Sequence, residues 1–388
     1  MLLAVYYTLL FVPAILPPLA DRATALGSLA GVAEILFWGI WWPAVILATL
    51  LCGQFWCGVF CPDGALTEWA SRHGRGGKIP LWLRWPGWPL LAFALVVFYE
   101  HLVRAWQSPR AIVVTLGGAA LLALLCGLLT GRGKRIWCRY LCPAGGLFSL
   151  LARCAVLHFR VDREIWDRAP KPLPRAVDCP LLLDVRRLRG NEKCSMCGRC
   201  SGHRAAVRLA WRAPGSEIAG LADDELHAGT AWAIIGVLIG LVFGVIHGRH
   251  GFLAGWAESL LGSGLPATAL AILLSAGGLA VAVAAVLRLA AGQDRLLFRH
   301  LAHALIPLAG CELLLGALGQ SFRLLREMGA DAQSWETALR VLLPAAGALW
   351  SLFLGGAVRR SRGSTGRSGG IVFGALVMAL AGIYSLAG

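Results

Sequence analysis

Eight cysteines are spaced for metal chemistry. Cys57 and Cys61, and again Cys138 and Cys142, form Cys-x3-Cys pairs, each followed by proline. On a helix an i,i+4 spacing sets both thiols of a pair on one face. A cubane iron–sulfur cluster takes four thiolates, and two facing pairs supply four. The third motif, Cys194-Ser-Met-Cys197-Gly-Arg-Cys200, is the core of the bacterial ferredoxin run. In a two-cluster ferredoxin each such run ends in x3-Cys-Pro, and that last cysteine serves the other cluster. Here Arg204-Ala205 stands in that place, whereas Cys179-Pro180 stands alone upstream. The run that would precede Cys179 has Ala169, Pro172 and Arg175 where its cysteines would be. Cys179, Cys194, Cys197 and Cys200 are therefore the complete set for one cluster, and the set for its partner is absent. The expectation is two [4Fe–4S] clusters, with zinc as the competing occupant of either set. Cys52, Cys126, Cys154 and Cys311 read as buried apolar thiols; Cys52 is close enough in sequence to Cys57 to count as a further candidate ligand.

The two Cys-x3-Cys-Pro motifs belong to an internal repeat at an offset of 81. Trp56-Cys57-Gly-Val-Phe-Cys61-Pro62-Asp-Gly64-Ala-Leu66 aligns with Trp137-Cys138-Arg-Tyr-Leu-Cys142-Pro143-Ala-Gly145-Gly-Leu147, and Arg72 aligns with Arg153. Two like units, each a helix pair ending in the motif, point to a pseudo-two-fold arrangement.

The elements that must position these residues are membrane helices. Of 388 residues 57% are hydrophobic and only 15% charged, against about 25% charged in an ordinary soluble domain. This excludes a water-soluble enzyme, and the hydrophobicity excludes disorder. Nine apolar segments have spanning length: about 1–20, 32–51, 88–106, 111–130, 229–248, 265–287, 301–319, 337–358 and 371–387. The first resembles a signal peptide, ending Pro-Leu-Ala before Asp21, but lacks a basic start and reads as a helix. The fold class is an all-α polytopic membrane protein with a ferredoxin-like iron–sulfur loop. The loops 53–87, 131–228, 288–300 and 359–370 hold 29 Lys and Arg against 6 on the opposite side, Arg104 at the end of the third segment included. That asymmetry sets the former in the cytoplasm, with the N-terminus inside, in a bacterial inner membrane. Three parts follow: 1–155, four spans with two motifs; 156–228, a basic cytoplasmic loop with the half-ferredoxin motif; and 229–388, five spans.

Ionisable residues inside spans are functional candidates. Glu34, Glu100, His101, His247, His250 and His303 are candidates for a quinone or haem site, since a His pair can hold a haem and Glu or His can take quinol protons. His300 and Glu312 share the seventh span with His303. The topology separates His247 and His250 from His300 and His303 by a membrane thickness, so these two groups would not share one haem. Taken singly, each also fits interfacial anchoring or a satisfied polar pair. The net charge of +15 resides mostly in the 131–228 loop. It suits cytoplasmic retention, offsets the negative charge of thiolate clusters and attracts acidic electron carriers. No nucleic-acid motif accompanies it.

Two Cys-x3-Cys-Pro motifs after paired spans, followed by a ferredoxin-type motif, resemble the membrane polyferredoxin family. It includes the NapH-type quinol dehydrogenase subunit, the NosR type and the CcoG type of oxidase maturation. The resemblance covers about residues 30–205. It implies [4Fe–4S] clusters on the cytoplasmic side, held by Cys57, Cys61, Cys138 and Cys142 and by Cys194, Cys197 and Cys200. It also implies electron exchange with the quinone pool or a partner oxidoreductase. Two departures stand out: only half of a ferredoxin pair is present, and the five C-terminal spans lie outside the pattern. The leading expectation is an electron-transfer protein that exchanges with quinol and a soluble redox partner. The alternative is a maturation factor that reduces a metal such as copper for a respiratory enzyme; the presence of only 4 Met argues against a thioether copper path.

Overall fold

The computed structural model describes residues 2–15, 28–168, 177–364 and 366–386. Among these, seven helices are long and apolar enough to cross a membrane: Leu29–Cys52, Pro109–Leu129, Ala228–His247, Leu265–Ala291, Arg295–Glu327, Gln333–Ser361 and Arg367–Leu386. They coincide with seven of the nine expected spans. The other two are shorter. Trp88–Val103 has 16 residues, about 24 Å of helix against a hydrocarbon core of about 30 Å. It stops because Arg104 adopts a left-handed conformation, φ 51° and ψ 56°. The helix Leu2–Ile15 covers the described part of the expected 1–20 segment; residues 16–20 and Asp21 lie outside the described residues, as do Ala169, Pro172 and Arg175. A further apolar helix, Phe252–Leu261, lies in an expected loop. It exposes Phe252, Trp256, Leu260 and Leu261, which suits the membrane interface.

The chain divides into two compact units. The first comprises Met1–Phe11, Leu47–Phe93 and Val113–Ser216; the second comprises Val12–Ile46, Ala94–Ile112 and Glu217–Gly388. All eight motif cysteines fall in the first. There, the helix Pro62–His73 packs on Gly118–Leu129. Close approach requires glycine at 127, where a Cβ would lie 2.5 Å from the Thr67 carbonyl oxygen. Two antiparallel strands, β1 (Leu157–Val161) and β2 (Val207–Trp211), pair with Phe159 opposite Leu209. They bracket the ferredoxin-type loop, whose core is Phe159, Val185, Cys194, Met196 and Val207.

In the second unit the helix Arg295–Glu327 is the central one, with 83% of its apolar stretch buried. It packs on Gln333–Ser361 and on the π-helical turns Ile35–Trp41. A second π-helical stretch, Ile234–Leu241, lies inside the Ala228–His247 span. Such wide turns recur where helices carry function.

Candidate iron–sulfur centres

The repeat is reproduced in the backbone of the two motifs. Cys57 lies in the short helix Phe55–Val59, and Cys138 in Ile136–Tyr140. Each helix then breaks. Cys61 (φ −62°, ψ 119°) and Cys142 (φ −59°, ψ 119°) leave the helical region and cap the next helices, which begin at Pro62 and Pro143. The backbone N–H of Cys61 donates to the Trp56 carbonyl at 3.0 Å, and that of Cys142 to the Trp137 carbonyl at 2.9 Å. The thiols of a pair are therefore not stacked on one continuous helix, as the i,i+4 spacing suggested. Proline at the first helical position starts a new helix and holds the preceding residue extended, so each pair brackets a helix–turn–helix break.

The four thiols lie within one another's electrostatic reach. Burial, then Cys61 and Cys142, hold the Cys57 thiol well above its ordinary value. Burial, then Cys142 and Cys61, do the same to Cys138. Burial and Asp63 push Cys61 to about 11, and burial and Cys61 push Cys142 to about 12. Crowded, buried thiols of this kind resist ionisation until a metal neutralises the charge. The one opposing cation is Arg135, which draws Cys57, Cys61 and Cys138 downward. This donor set suits a four-thiolate cluster.

Cys179, Cys194, Cys197 and Cys200 line a single cavity together with Phe159, Leu183 and Val185. Burial above all pushes Cys194 to about 12 and Cys200 to about 11. The loop is held in unusual backbone: Met196, between two of the cysteines, has φ 55°, and its N–H points at the Cys194 sulfur at 3.4 Å. Among the described residues no three His, Cys, Asp or Glu side chains close upon a single metal ion. The four thiols line that one cavity, and four thiolates are the donor set that a cubane cluster takes. All twelve cysteines are free of disulfides. Cys154 and Cys311 are buried as expected, whereas Cys52 and Cys126 are only half-buried, and Cys126 sits 3.7 Å from the Thr130 hydroxyl.

Several residues join the two centres, and the motifs alone do not reveal them. Lys134 donates to the Cys179 carbonyl at 3.1 Å and pairs with Asp178. Its neighbour Arg135 donates from Nη1 to the carbonyls of Cys57 (3.1 Å) and Gly58 (3.2 Å), and from Nε to Glu68 Oε2 at 2.8 Å. Arg199, between Cys197 and Cys200, donates to the same carboxylate, and Arg72 reaches it at 2.5 Å. Glu68 is thus a buried anion among three arginines. Gln54 occupies the repeat position of Arg135. Its amide donates to the carbonyls of Asn191 (3.3 Å) and Glu192 (2.9 Å), just ahead of Cys194. Arg153, the repeat partner of Arg72, pairs with Glu192 at 2.7 Å. The repeat offset was the available signal: in both copies the residue three before the first cysteine tethers a segment beside the centres.

The membrane-embedded candidates do not converge. Glu34 accepts from Arg323 at 2.5 Å. Glu100 is buried, and the His101 ring bonds the Val97 carbonyl at 2.9 Å. The His303 ring bonds the Arg299 carbonyl at 2.8 Å. His300 is bracketed by the Ile218 carbonyl at 2.6 Å and Arg362 at 2.9 Å. His250 follows the Ala228–His247 span, its backbone N–H donating to the His247 carbonyl. The His247 ring meets a carboxylate, Nε2 to Glu312 Oε1 at 2.8 Å.

A family described as a 4Fe-4S binding domain matches residues 34–80 and 113–164. These stretches contain Cys57, Cys61, Cys138 and Cys142, but not the ferredoxin-type loop. The class these findings define is a protein with helices long and apolar enough to cross a membrane and a stretch similar to an iron–sulfur-binding domain. Among particular proteins, the chain is similar to "Putative electron transport protein YccM" of Escherichia coli K12. The two are 24% identical over 229 residues, 52% of this chain and 62% of that protein. It is also similar to "Regulatory protein NosR" of Pseudomonas aeruginosa PAO1, 26% identical over 183 residues, 42% of this chain and 25% of that protein. The match thus spans less than two thirds of either relative. No solved structure matches the chain.

Proposed function

We propose that the protein passes electrons between the quinone pool and a partner oxidoreductase through two [4Fe–4S] centres at the cytoplasmic face of a bacterial inner membrane. Cys57, Cys61, Cys138 and Cys142 hold one centre; Cys179, Cys194, Cys197 and Cys200 hold the other. The cluster supplies one-electron exchange when bound. The observation that carries the reading is the contact between the two ligand sets. Gly58, beside Cys57, lies against the backbone of Ser195 and Cys197, and Arg135, Glu68 and Arg199 tie the same segments by ion pairs.

The chain's own residues contribute charge balance, water exclusion and rigidity. Arg135 and Lys134 set positive charge beside both thiolate sets. The basic loop suits an acidic partner. The C-terminal part, 229–388, carries the proton end of the exchange. Quinol oxidation releases two protons, and His247 with Glu312 is a buried imidazole–carboxylate pair on two spans. Glu312 Oε2 has no hydrogen-bond partner among the described residues, which leaves an acceptor position open. A relative named as a putative electron transport protein agrees with a redox role.

The test is anaerobic rapid mixing of the purified, reconstituted protein with a reduced short-chain quinol, followed by visible bleaching and by EPR of the reduced clusters. Reduction by quinol within seconds supports the reading. Clusters that dithionite reduces but quinol does not would remove the quinone end. Zinc in place of iron and acid-labile sulfide would remove the redox function altogether.

A further inference from the structure

The last two spans, Gln333–Ser361 and Arg367–Leu386, flank an open cavity of about 290 Å³ beside the turn that joins them. Arg359, Arg360 and Arg367 line it. Arg359 is only 8% exposed. It donates to the carbonyls of Ala290 (3.2 Å), Ser364 (3.5 Å) and Gly366 (2.5 Å). These bonds pin the turn, and among the described residues no carboxylate pairs with the guanidinium. Arg360 and Arg367 are exposed, and among the described residues neither has a carboxylate partner. No acidic residue lines the cavity; its remaining wall is apolar or small, including Leu352 and Phe373. The buried Arg359 guanidinium is costly to hold without an anion, and the exposed Arg360 and Arg367 add positive potential at the rim of the same cavity. Arginine's planar fork suits a phosphate oxygen pair.

We propose that this cavity binds the phosphate headgroup of an anionic membrane lipid. The shared chemistry is a phosphate anion, and two observations favour a lipid over a free phosphate compound. The cavity lies at the ends of two membrane-spanning helices, where headgroups reside. Its wall passes from arginine to Leu352 and Phe373, as a headgroup passes into acyl chain. Basic pockets between spans on the cytoplasmic side are a recurring form of lipid site, and the Lys and Arg asymmetry assigns this turn to that side. The site lies outside the cysteine motifs and does not depend on cluster content.

The experiment uses the full chain in detergent and native mass spectrometry, titrated with phosphatidylglycerol, phosphatidylcholine, glycerol phosphate or inorganic phosphate. Wild-type protein is expected to retain phosphatidylglycerol over phosphatidylcholine. Arg360→Gln with Arg367→Gln should weaken phosphatidylglycerol binding roughly 30-fold, about fivefold for each arginine. Arg360→Lys with Arg367→Lys should recover part of it, because charge is kept and the planar fork is lost. Iron content should stay the same in all variants, which separates this result from a failure of the electron-transfer reading. Equal binding of the two lipids, or equal affinity in wild type and the Gln variant, would overturn the proposal. Binding of glycerol phosphate or inorganic phosphate as tight as that of the lipid would overturn the lipid assignment.

Discussion

Gly58 and Cys197 touch through their backbones. A Cβ at position 58 would lie 2.7 Å from the Cys197 nitrogen, 2.9 Å from its Cα and 2.1 Å from the Ser195 carbonyl oxygen. Gly58 follows the first ligand of one thiolate set, and Cys197 belongs to the other. The two sets are therefore one peptide unit and one van der Waals contact apart, far from sequence neighbours yet adjacent in the fold.

Gly58→Ala should separate the centres. The atoms facing position 58 are backbone, not the far end of a flexible side chain, so the loop must move. We expect iron to fall from about eight to about four per chain as the loop centre is lost, while the membrane-surface set keeps its cluster. Iron and acid-labile sulfide assays, with EPR of the reduced variant, measure this. Full iron and unchanged cluster–cluster spin interaction in the variant would show that the contact has no consequence.

Glu68 should be the electrostatic keystone of the joint. Burial raises its carboxyl, but hydrogen bonds from Arg199 and Arg135 outweigh burial and hold it below the usual carboxylate range. A depressed folded value contributes stability that is full above the unfolded value, about 4.3, and is lost as pH falls through the folded value. Glu68→Gln leaves Arg135 and Arg199 without their carboxylate, at a cost of about 3 kcal/mol at neutral pH. The melting midpoint should drop by several degrees at pH 7, and the gap between variant and wild type should narrow below about pH 4. A constant gap across that range would mean that the carboxylate charge is not what stabilises the joint.

The sequence disclosed which thiols the fold brings together better than how it holds them. The motif spacings and the repeat at 81 pick out the four thiols that lie within one another's electrostatic reach and the four that line one cavity. They do not disclose that Cys61 and Cys142 are helix caps; that follows from prolines at 62 and 143 competing with an i,i+4 reading. Seven spans were legible because a bilayer demands long apolar runs. The helix Phe252–Leu261 was not, since ten residues are too few for that signal. Glu68 was missed for a different reason: Arg72 four residues on reads as an ordinary helix pair, and the two partners that make the site, Arg135 and Arg199, lie 67 and 131 residues away. The His247–Glu312 contact likewise joins residues 65 apart.

Single thiol replacements should divide the metal content by site. Cys57→Ser should remove the membrane-surface centre and Cys194→Ser the loop centre, each leaving about four iron. Cys52→Ser should leave about eight, because the four thiols of the membrane-surface set are already supplied by the two repeats. EPR of each half-loaded variant then gives the spectrum of the remaining cluster. Loss of all iron from either variant would mean that the sites load as a unit. Loss of iron from Cys52→Ser would make that residue a ligand.

The membrane pair predicts a separation between two reductants. Glu312 offers one carboxylate oxygen to His247 at 2.8 Å and has the other without a partner among the described residues. If this pair accepts quinol protons, Glu312→Gln removes the acceptor but keeps the shape and the hydrogen bond to His247. Reduction of the clusters by quinol should then slow by 10²–10⁴-fold, the usual range for loss of a positioned proton acceptor. Reduction by dithionite, which delivers electrons directly to the clusters, should be unchanged. Equal slowing with both reductants would place the effect in the clusters and not at Glu312. Unchanged quinol kinetics would move the proton end to another group and leave His247 and Glu312 as a structural pair between two spans.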